Sequence, residues 1–403
     1  MKSIVLTAGQ GTRLEPLTDC HPKAMITICG QPLLARLLTS FSRIGCHETA
    51  VVINPRHRSM VNRFDRLVSP ALPSITWFEQ TEGLGVGNGV LAARTYIDTG
   101  EYFMLSYGDI MFSDNLLQSL LNSFNSIRKP VAAVCLTRDS SDFGVIYMDQ
   151  EMRITEIIEK PQQRKLGNYV LAGAFILPGG FISVLADCGG NIIDAFTKFL
   201  HSSELYASIW EGEWIDIAYP WSVLAANQML MREWHQTIQS TSIVIESGVN
   251  ISGPVVIEDH VTIKSGASII GPCFIGQNSF IGHHALLRDC TCIGAGSTIG
   301  FGVEVKNSVI MAGSEIGRLS FIGDSVIGEH VEVGSATIMV NVRMDQATVS
   351  VDICGEPIDS GLKKLGSFIG DHAWIGANHT FLPGTKIPAH HVIPHFGTYP
   401  PRQ

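Results

Sequence analysis

The stretch "FIGQNSFIGHHALLRDCTCIGAGSTIG", Phe274 to Gly300, places an aliphatic residue at every sixth position. The same spacing extends in both directions, through Ile245, Ile251, Ile257, Ile263, Ile269, Ile275, Ile281, Leu287, Ile293, Ile299, Val305 and Met311. Neither an α-helix nor a flat β-strand has this period. A left-handed parallel β-helix does, because each flat side of its triangular coil holds one hexapeptide whose aliphatic residue points to the axis.

The repeat continues to the end of the chain with two irregularities. It shifts register near Met311, and it then runs through Ile316, Ile322, Ile327, Val333, Ile369, Ile375, Phe381 and Ile387. The gap predicts that residues 340–366 leave the solenoid as a loop or hairpin. Flat outer faces of such a prism usually pair with another copy, so we expect a homotrimer formed through the β-helix.

The first half of the chain has a different rhythm, in which short apolar runs alternate with amphipathic helical patterns. A helix beginning at Pro32, for example, places Leu33, Leu37 and Phe41 on one stripe. Alternation of this kind predicts an α/β domain with a largely parallel sheet covered on both faces. We therefore expect a Rossmann-like domain over residues 1–228, a connecting helix or linker over 229–241, and the β-helix domain over 242–403.

Composition excludes several classes of function. The formal charge of −9 and the pI near 5.8 oppose binding to nucleic acid or to an anionic membrane. The nine cysteines are scattered without a CxxC pair, which is typical of reduced thiols rather than of a zinc site. No run of the sequence has the length of a membrane span or the form of a signal peptide, so we expect a cytoplasmic protein.

One segment near the start of the chain combines glycines with two cations. It reads "LTAGQGTRLEPLTDCHPKAM", Leu6 to Met25, and directly follows a predicted buried strand. Gly9 and Gly11 let backbone N–H groups approach an anion closely, Arg13 offers a planar fork for phosphate oxygens, and Lys23 offers a compact ammonium. The spacing is not that of a P-loop, but the residue types predict an anionic ligand.

These residues resemble the opening motif of the sugar-1-phosphate nucleotidylyltransferases, which is close to LxxGxGTRLxPLTxxxPK. The resemblance continues through "EQTEGLGVGNGV", "YGDIMF", "FGVI", "EIIEKP" and "WIDIAYPWSVLAAN". With the hexapeptide half included, the chain is similar to archaeal-type bifunctional sugar-phosphate nucleotidylyltransferase/amino-sugar-phosphate acetyltransferases. The resemblance implies transfer of a nucleotidyl group from a nucleoside triphosphate to a sugar 1-phosphate, with release of pyrophosphate.

The resemblance also implies roles for particular residues. Catalysis is assigned to Arg13, Lys23 and Asp109, and Mg²⁺ binding to Asp109 and Asp216. The nucleotide is expected to contact Leu6, Ala8, Gly9, Gly11, Thr12, Arg13, Gln80, Gly85 and Val86. The sugar 1-phosphate is expected to contact Gly144, Glu159, Lys160 and Leu171.

Two of these positions depart from the family pattern. Val86 stands where relatives that use uridine nucleotides commonly have threonine, and Leu171 stands where many have an asparagine that binds the sugar. The sequence therefore leaves both the base and the sugar open.

The second half also departs from its relatives. Their acetyltransferase motif resembles HxSYxGDSxIG, whereas this chain reads "RLSFIGDSVIG". Arg318 stands where the general base is expected, and a guanidinium that stays protonated cannot accept a proton. Phe321 replaces the tyrosine, while Asn341 is retained, so these three residues are interpreted as the remnant of an acyl site. Acetyl-coenzyme A is a cofactor only if this second activity survives.

Three hypotheses therefore stand. The first is an Mg²⁺-dependent nucleotidylyltransferase whose β-helix serves oligomerisation or regulation. The second is a bifunctional enzyme that also acetylates an amino-sugar phosphate. The third is a noncatalytic, pyrophosphorylase-like regulatory subunit, which the intact signature residues disfavour.

Overall fold

The computed structural model describes residues 1–67, 72–113, 115–137, 143–159 and 168–399. The chain divides into two compact units. The first contains Met1–Gln10 and Leu33–Asp216, and the second contains Gly11–Pro32 and Ile217–Gln403. Among the described residues, no helix combines the length and the apolar character that a membrane crossing requires.

The first unit is built on one mixed sheet, and a further short strand pair lies beside it. The central strands run parallel in the order β6, β1, β4, β5, as the sequence predicts. The other side of the sheet is antiparallel, because β9 and β10 form a hairpin and β11 returns against β6. The strands of this half of the chain are β1 (Lys2–Leu6), β2 (Thr27–Ile28), β3 (Gln31–Pro32), β4 (Glu48–Ile53), β5 (Ser74–Glu79), β6 (Tyr102–Tyr107), β7 (Ile110–Phe112), β8 (Val131–Leu136), β9 (Gly144–Met148), β10 (Ile154–Glu159), β11 (Tyr169–Pro178), β12 (Tyr206–Trp210) and β13 (Trp214–Asp216).

Amphipathic helices alternate with these strands. In α1 the residues Leu34, Leu38 and Phe41 are fully buried, as expected from their three- and four-residue spacing. The helices are α1 (Leu33–Arg43), α2 (Ser59–Leu67), α3 (Val86–Ala92), α4 (Leu116–Ile127), α5 (Gly180–Asp187), α6 (Ile192–Ser202) and α7 (Pro220–Arg232).

The second unit contains the predicted parallel β-helix, whose three faces each carry eight strands within the described residues. The first face has Ile238–Gln239, Val255–Ile257, Cys273–Ile275, Thr291–Ile293, Val309–Ile310, Val326–Ile327, Phe368–Ile369 and Lys386–Ile387. The second has Val244–Ile245, Thr262–Ile263, Phe280–Ile281, Thr298–Ile299, Glu315–Ile316, Glu332–Val333, Trp374–Ile375 and Val392–Ile393. The third has Asn250–Ser252, Ser268–Ile270, Leu286–Arg288, Glu304–Lys306, Phe321–Gly323, Ile338–Met339, His379–Phe381 and Gly397–Tyr399. The fold class predicted from the hexapeptide period is therefore confirmed.

The axis of the β-helix is a continuous aliphatic core of residues from all three faces. One predicted member was wrong. The coil is one residue short between Val305 and the next strand, so Ile310, not Met311, pairs with Ile293 in the inward column. Met311 is buried but lies one position beyond that column. Ile245, in the first coil, is 39% exposed because only one neighbouring coil covers it.

The corners of the β-helix explain the glycines that follow the inward residues. A Cβ added to Gly276 would lie 2.6 Å from the backbone nitrogen of Ala295 in the next coil. Between the strands Ile338–Met339 and Phe368–Ile369 the chain leaves the coil and forms an antiparallel hairpin of Ser350–Ile353 and Glu356–Asp359. Within the same unit, α7 packs on the coils, where the side-chain amide of Asn227 donates to the carbonyl oxygen of Cys290 at 2.6 Å.

Candidate active site

Two neighbouring parallel strands of the first unit end side by side. β1 and β6 are in register from Lys2 to Leu6, with Leu6 opposite Tyr107. The next residue on β6 is Gly108, where an added Cβ would lie 2.5 Å from the Thr7 side chain. Only glycine permits this approach, and it sets Asp109 directly beyond the carboxyl end of a buried strand.

A pocket of about 280 Å³ lies at this edge of the sheet. Its lining contains seven of the sequence-predicted residues, together with others that were not predicted. The lining residues are Leu6, Ala8, Gly9, Gln10, Asn54, Gln80, Gly83, Leu84, Gly85, Val86, Gly89, Tyr107 and Asp109. The structure therefore brings together the part of the predicted nucleotide site that belongs to the first unit.

The loop after β5 is shaped by Gln80. Its side-chain amide donates to the carbonyl oxygens of Gly83 at 3.2 Å and Gly85 at 3.1 Å. Gly85 has a φ of 90°, a conformation that favours glycine. A Cβ on Gly89 would lie 3.2 Å from the Gln80 oxygen, so a small residue is needed behind the amide. The amide group of Gln80 thus stands at the pocket wall in a fixed orientation.

One predicted metal ligand, Asp216, ends β13, and the other, Asp109, directly precedes the strand paired with it. β7 and β13 are antiparallel, with Asp216 opposite Ile110, the residue after Asp109. The indole N–H of Trp214 donates to the carbonyl oxygen of Ala172 at 2.9 Å and so ties β13 to β11. The half-buried carboxylates of Asp109 and Asp216 supply the hard oxygen atoms that Mg²⁺ prefers. The residues present therefore fit this ion.

Three of the four predicted sugar-phosphate residues are neighbours. Gly144 on β9 is in register with Glu159 on β10. A Cβ on Gly144 would lie 3.1 Å from a Glu159 carboxylate oxygen and 3.4 Å from the Leu171 side chain. Lys160, the fourth, lies outside the described residues.

Tyr107, which was not identified from the sequence, lies near enough to Glu159 and Asp109 to feel both charges. Desolvation by burial raises the pKa of its hydroxyl far above the ordinary value, and the charges of Glu159 and Asp109 raise it further. Tyr107 is therefore a neutral hydrogen-bonding group at the pocket wall. The "YGD" motif contains it, but nothing in the sequence distinguishes it from a core tyrosine.

The cationic segment, residues 11–25, belongs to the second unit. Gly11 has a φ of 73°, and its carbonyl oxygen accepts the Thr18 hydroxyl at 2.8 Å. This closes a loop around the short helix Thr12–Leu14, which carries Arg13. Predicted site residues Gly11, Thr12, Arg13 and Lys23 are thus held in one short, internally bonded segment.

Arg13 has an aromatic support that the sequence analysis missed. Its guanidinium lies 5.3 Å from the centre of the Tyr219 ring, which stacks on Trp221 with a centroid distance of 4.6 Å. A guanidinium over an aromatic face is held by cation–π attraction, so the Tyr219 ring helps to orient Arg13. The "AYPW" motif carries both aromatic residues, but its spacing from Arg13 gives no signal of contact.

The acyl-site remnant forms a structural network. Asn341 donates to a carboxylate oxygen of the buried Asp324 at 2.5 Å, and that carboxylate also accepts from Asn307 at 2.6 Å and pairs with Lys306 at 3.2 Å. A Cβ on Gly323 would lie 2.6 Å from the Phe321 ring and 2.9 Å from the Asn341 amide. Asn341 is therefore committed to Asp324.

Arg318, the third remnant residue, lies apart from this network on an exposed corner. A Cβ on Gly300 in the preceding coil would lie 2.8 Å from its backbone nitrogen. An arginine side chain has hydrogen-bond donors and no acceptor, so Arg318 does not replace the histidine base of the motif.

Comparison with protein families gives two matches. The nucleotidyl transferase family matches residues 2–233, more than half of the chain. The GMPPB C-terminal domain family matches residues 269–395, within the β-helix.

Similar proteins of known name cover nearly the whole chain. A "Bifunctional protein GlmU" of Methanococcus maripaludis is 32% identical over 400 residues, 98% of this chain and 93% of that protein. A "Bifunctional sugar-1-phosphate nucleotidylyltransferase/acetyltransferase" of Sulfurisphaera tokodaii is 32% identical over 399 residues, 97% of this chain and 95% of that protein.

Solved structures match the first half in fold. UDP-glucose pyrophosphorylase from Acinetobacter baumanii superposes with a TM-score of 0.51 at 21% identity, covering 56% of this chain and 92% of that one. A glucose-1-phosphate thymidylyltransferase from Bacillus anthracis gives 0.51 at 22% identity, covering 56% and 94%. With the family matched over residues 2–233 and relatives aligned over 97% to 98% of the chain, the chain belongs to the nucleotidyl transferase family, and a C-terminal β-helix follows the family's domain in it.

Proposed function

We propose that the protein transfers a nucleoside monophosphate from a nucleoside triphosphate to a sugar 1-phosphate, giving a nucleoside diphosphate sugar and pyrophosphate. The observation that carries the proposal is the pocket at the carboxyl ends of β1 and β6, with Gly9, Gln80 and Asp109 in its lining. Its shape and position suit a nucleotide, since ligands of open α/β sheets bind at this edge.

The transfer is a single displacement at phosphorus. An oxygen of the sugar 1-phosphate attacks the α-phosphorus, the bond to the bridging oxygen breaks, and that oxygen leaves with pyrophosphate. Catalysis then consists of positioning and of neutralising charge on the phosphate oxygens. Arg13 and Lys23 supply two positive charges for this purpose, and the backbone at Gly9 and Gly11 permits close approach of the triphosphate.

The remaining predicted residues bind the two substrates. Gln80 and the Gly85–Val86 backbone contact the base, and Leu6, Ala8 and Thr12 complete the nucleotide site. Gly144, Glu159 and Leu171 hold the sugar 1-phosphate, assisted by Lys160. The Val86 side chain offers no hydroxyl for the base, and Leu171 offers no amide for the sugar. Base and sugar are therefore recognised by other groups, among them the Gln80 amide, which two hydrogen bonds orient.

Asp109 and Asp216 would hold Mg²⁺, which, when bound, neutralises phosphate oxygens and orients the triphosphate. The pairing of Asp216 with Ile110, the residue after Asp109, supports this role. No third carboxylate is required, since phosphate oxygens and water complete the coordination of this ion.

For the β-helix we propose a role in oligomerisation or regulation, in a homotrimer in the cytoplasm. We also keep the domain division predicted from the sequence as a proposal: a catalytic domain over residues 1–228, a linker over 229–241 and the β-helix domain over 242–403. The exposed position of Arg318 and the engagement of Asn341 with Asp324 support an assignment without acetyl transfer.

The first experiment measures pyrophosphate release by the full chain with Mg²⁺, crossing the common nucleoside triphosphates with a panel of sugar 1-phosphates. Turnover with one pair, dependent on both substrates, is the expected result and identifies base and sugar together. A folded protein that releases no pyrophosphate with any pair, and binds no nucleoside triphosphate in calorimetry, would contradict the proposal and favour the regulatory alternative.

A second activity is kept as a candidate because relatives named as bifunctional align over 97% to 98% of this chain. It is tested by release of free coenzyme A from acetyl-coenzyme A in the presence of amino-sugar phosphates. We expect no release above the rate without enzyme, since Arg318 cannot act as a base. Release of coenzyme A that depends on the amino group of the acceptor would support the hypothesis of a bifunctional enzyme.

A further inference from the structure

Two buried carboxylates lie together on neighbouring coils of the β-helix. Asp371 is fully buried and Glu329 is 6% exposed. One oxygen of Asp371 accepts the backbone N–H of Glu329 at 2.7 Å. Two like charges in a desolvated position repel each other, so this arrangement is stable only if a cation or a proton compensates them.

The compensating cation is His21 of the cationic segment. Its Nε2 lies 3.0 Å from an oxygen of Asp371 and 3.4 Å from an oxygen of Glu329. Burial disfavours the imidazolium, but the hydrogen bonds and charges of Asp371 and Glu329 outweigh burial and raise the pKa of His21 to about 9. His21 is therefore charged at neutral pH and joins residues far apart in the sequence.

The residues before His21 are anchored on the same side of the coils. The Asp19 carboxylate accepts the backbone N–H of Ala389 at 2.9 Å. The Cys20 sulfur lies 3.4 Å from Nε2 of His390. Residues 19–21 thus contact the β-helix at three successive positions, and His21 pairs there with two carboxylates.

Lys23 follows His21 across a stiff connection. Pro22 has a φ of −67°, and the backbone N–H of Met25 donates to its carbonyl oxygen at 2.8 Å, which starts the short helix Lys23–Met25. Proline fixes one of the backbone dihedrals between the two side chains. This restriction limits how far the backbone at Lys23 can move independently of His21.

We propose that His21 is a positioning residue for nucleotidyl transfer, which holds Lys23 in its catalytic place by pairing with Asp371 and Glu329 of the β-helix. The inference rests on the proposed function of Lys23 and extends it: the β-helix takes part in the reaction through two carboxylates that touch no substrate. His21 acts through Lys23 and does not itself contact the phosphates.

The first test compares His21→Gln with the double variant His21→Gln/Asp371→Asn. The single variant removes the cation that pairs with both buried carboxylates, and we expect kcat for pyrophosphate release to fall at least 10-fold, with KM for the nucleoside triphosphate changed less. The double variant removes one charge of each sign and should recover part of the lost kcat. His260→Asn, at another corner of the β-helix, is the matched control, because asparagine tolerates its φ of 57°.

A pH profile separates positioning from a general loss of stability. The alkaline limb of kcat should lie near pH 9 in the native protein, where His21 loses its proton. Glu329→Gln keeps the pair with Asp371 but lowers the pKa of His21, so the limb should move to lower pH by about one unit. Asp19, Cys20, His372 and His390 are the other described titratable groups near His21. Because the charge of Glu329 also contributes to the raised pKa of the Cys20 thiol, both profiles are measured in a Cys20→Ser background. A limb that does not move would overturn the proposal.

Hydrogen–deuterium exchange tests whether His21 fixes the cationic segment, and this measurement does not depend on enzyme activity. In His21→Gln the amides of residues 12–25 should exchange at least 10-fold faster than in the native protein, while the β-helix core exchanges as before. Equal exchange in these amides, or kcat within twofold of the native value, would refute the positioning role. A native protein that releases no pyrophosphate would refute the proposed function instead, and the exchange result would still decide whether His21 fixes the segment.

Discussion

At the residue scale, the charge of Asp109 is the feature on which the proposed chemistry depends most. Asp109→Asn keeps the size of the side chain but removes its charge, and so removes one of the two ionised oxygen donors offered to Mg²⁺. We expect kcat for pyrophosphate release to fall about 100-fold or more, with an unchanged melting temperature. Asp98→Asn, an exposed carboxylate in the same unit, should behave as the native protein. Retention of more than a tenth of native kcat in Asp109→Asn would remove Asp109 from the catalytic set.

Asp109 was predicted from the sequence, whereas the role of His21 was not. Asp109 could be identified because its neighbours in the chain, Tyr107 and Gly108, form a recognisable motif at a strand end. His21 could not, although it lies inside the signature segment, because its meaning comes from Asp371 and Glu329 in the distant half of the chain. A local pattern carries no information on which buried carboxylate a histidine will meet.

At the scale of elements, each coil of the β-helix depends on its inward residue. Ile293→Ala removes methyl groups from a fully buried position between two neighbouring coils. We expect the free energy of unfolding to fall by about 2–5 kcal/mol, which urea denaturation would measure. Thr380→Ala, on a half-exposed outward position of the third face, is the control and should change it by no more than about 0.5 kcal/mol. Equal effects of the two substitutions would contradict the inward assignment of Ile293.

The hexapeptide period predicted nearly every inward residue, and it failed where a coil has 17 residues in place of 18. Ile310 pairs with Ile293, so the missing residue lies between Val305 and Ile310. The sequence "SVIM" offers two adjacent apolar side chains, Ile310 and Met311, and strict counting selects the second. Only the hydrogen bonds of the corner decide which of the two faces the axis.

The ion pair of the cationic segment should make stability depend on pH. The pKa of His21 is near 9 in the folded protein and 6.5 in its ordinary state, so its contribution is fully present below pH 6.5 and is lost as pH rises through 9. The difference in unfolding free energy between the native protein and His21→Gln should shrink by roughly 3 kcal/mol between pH 6 and pH 10. Urea denaturation at several pH values measures it. A difference that stays constant over this range would show that His21 is not charged in the folded state.

At the scale of the whole molecule, the order of its two architectures could be predicted, but the path of the chain through them could not. The sequence alone separates the two halves, because the first alternates strand and helix patterns and the second repeats every six residues. Residues 11–32 lie early in the chain, yet they group with the β-helix because His21 and its neighbours bond to the coils. The hydrophobic period of residues 11–32 does not predict this grouping, because the segment lies within the α/β half of the sequence.

The face of the β-helix that carries Trp374 is the one we expect to be covered in a homotrimer. Several apolar side chains point outward there, among them Val244, Phe280, Trp374 and Val392, which are 55%, 38%, 39% and 62% exposed. Large apolar groups on a flat sheet face are typical of an interface between copies. In sedimentation equilibrium the native protein should therefore have three times the chain mass of 43.8 kDa.

A charge on this face tests the assignment. Trp374→Glu removes an aromatic ring and adds a carboxylate beside Glu332, which accepts the indole N–H at 2.8 Å in the native protein. Repulsion and lost apolar contact should dissociate the assembly to a mass of 43.8 kDa. Ile338→Glu, on a different face and equally close to the surface, should leave the mass unchanged. A native protein that sediments as a single chain would exclude the trimer. Dissociation by Ile338→Glu but not by Trp374→Glu would show that the interface lies on the face that carries Ile338.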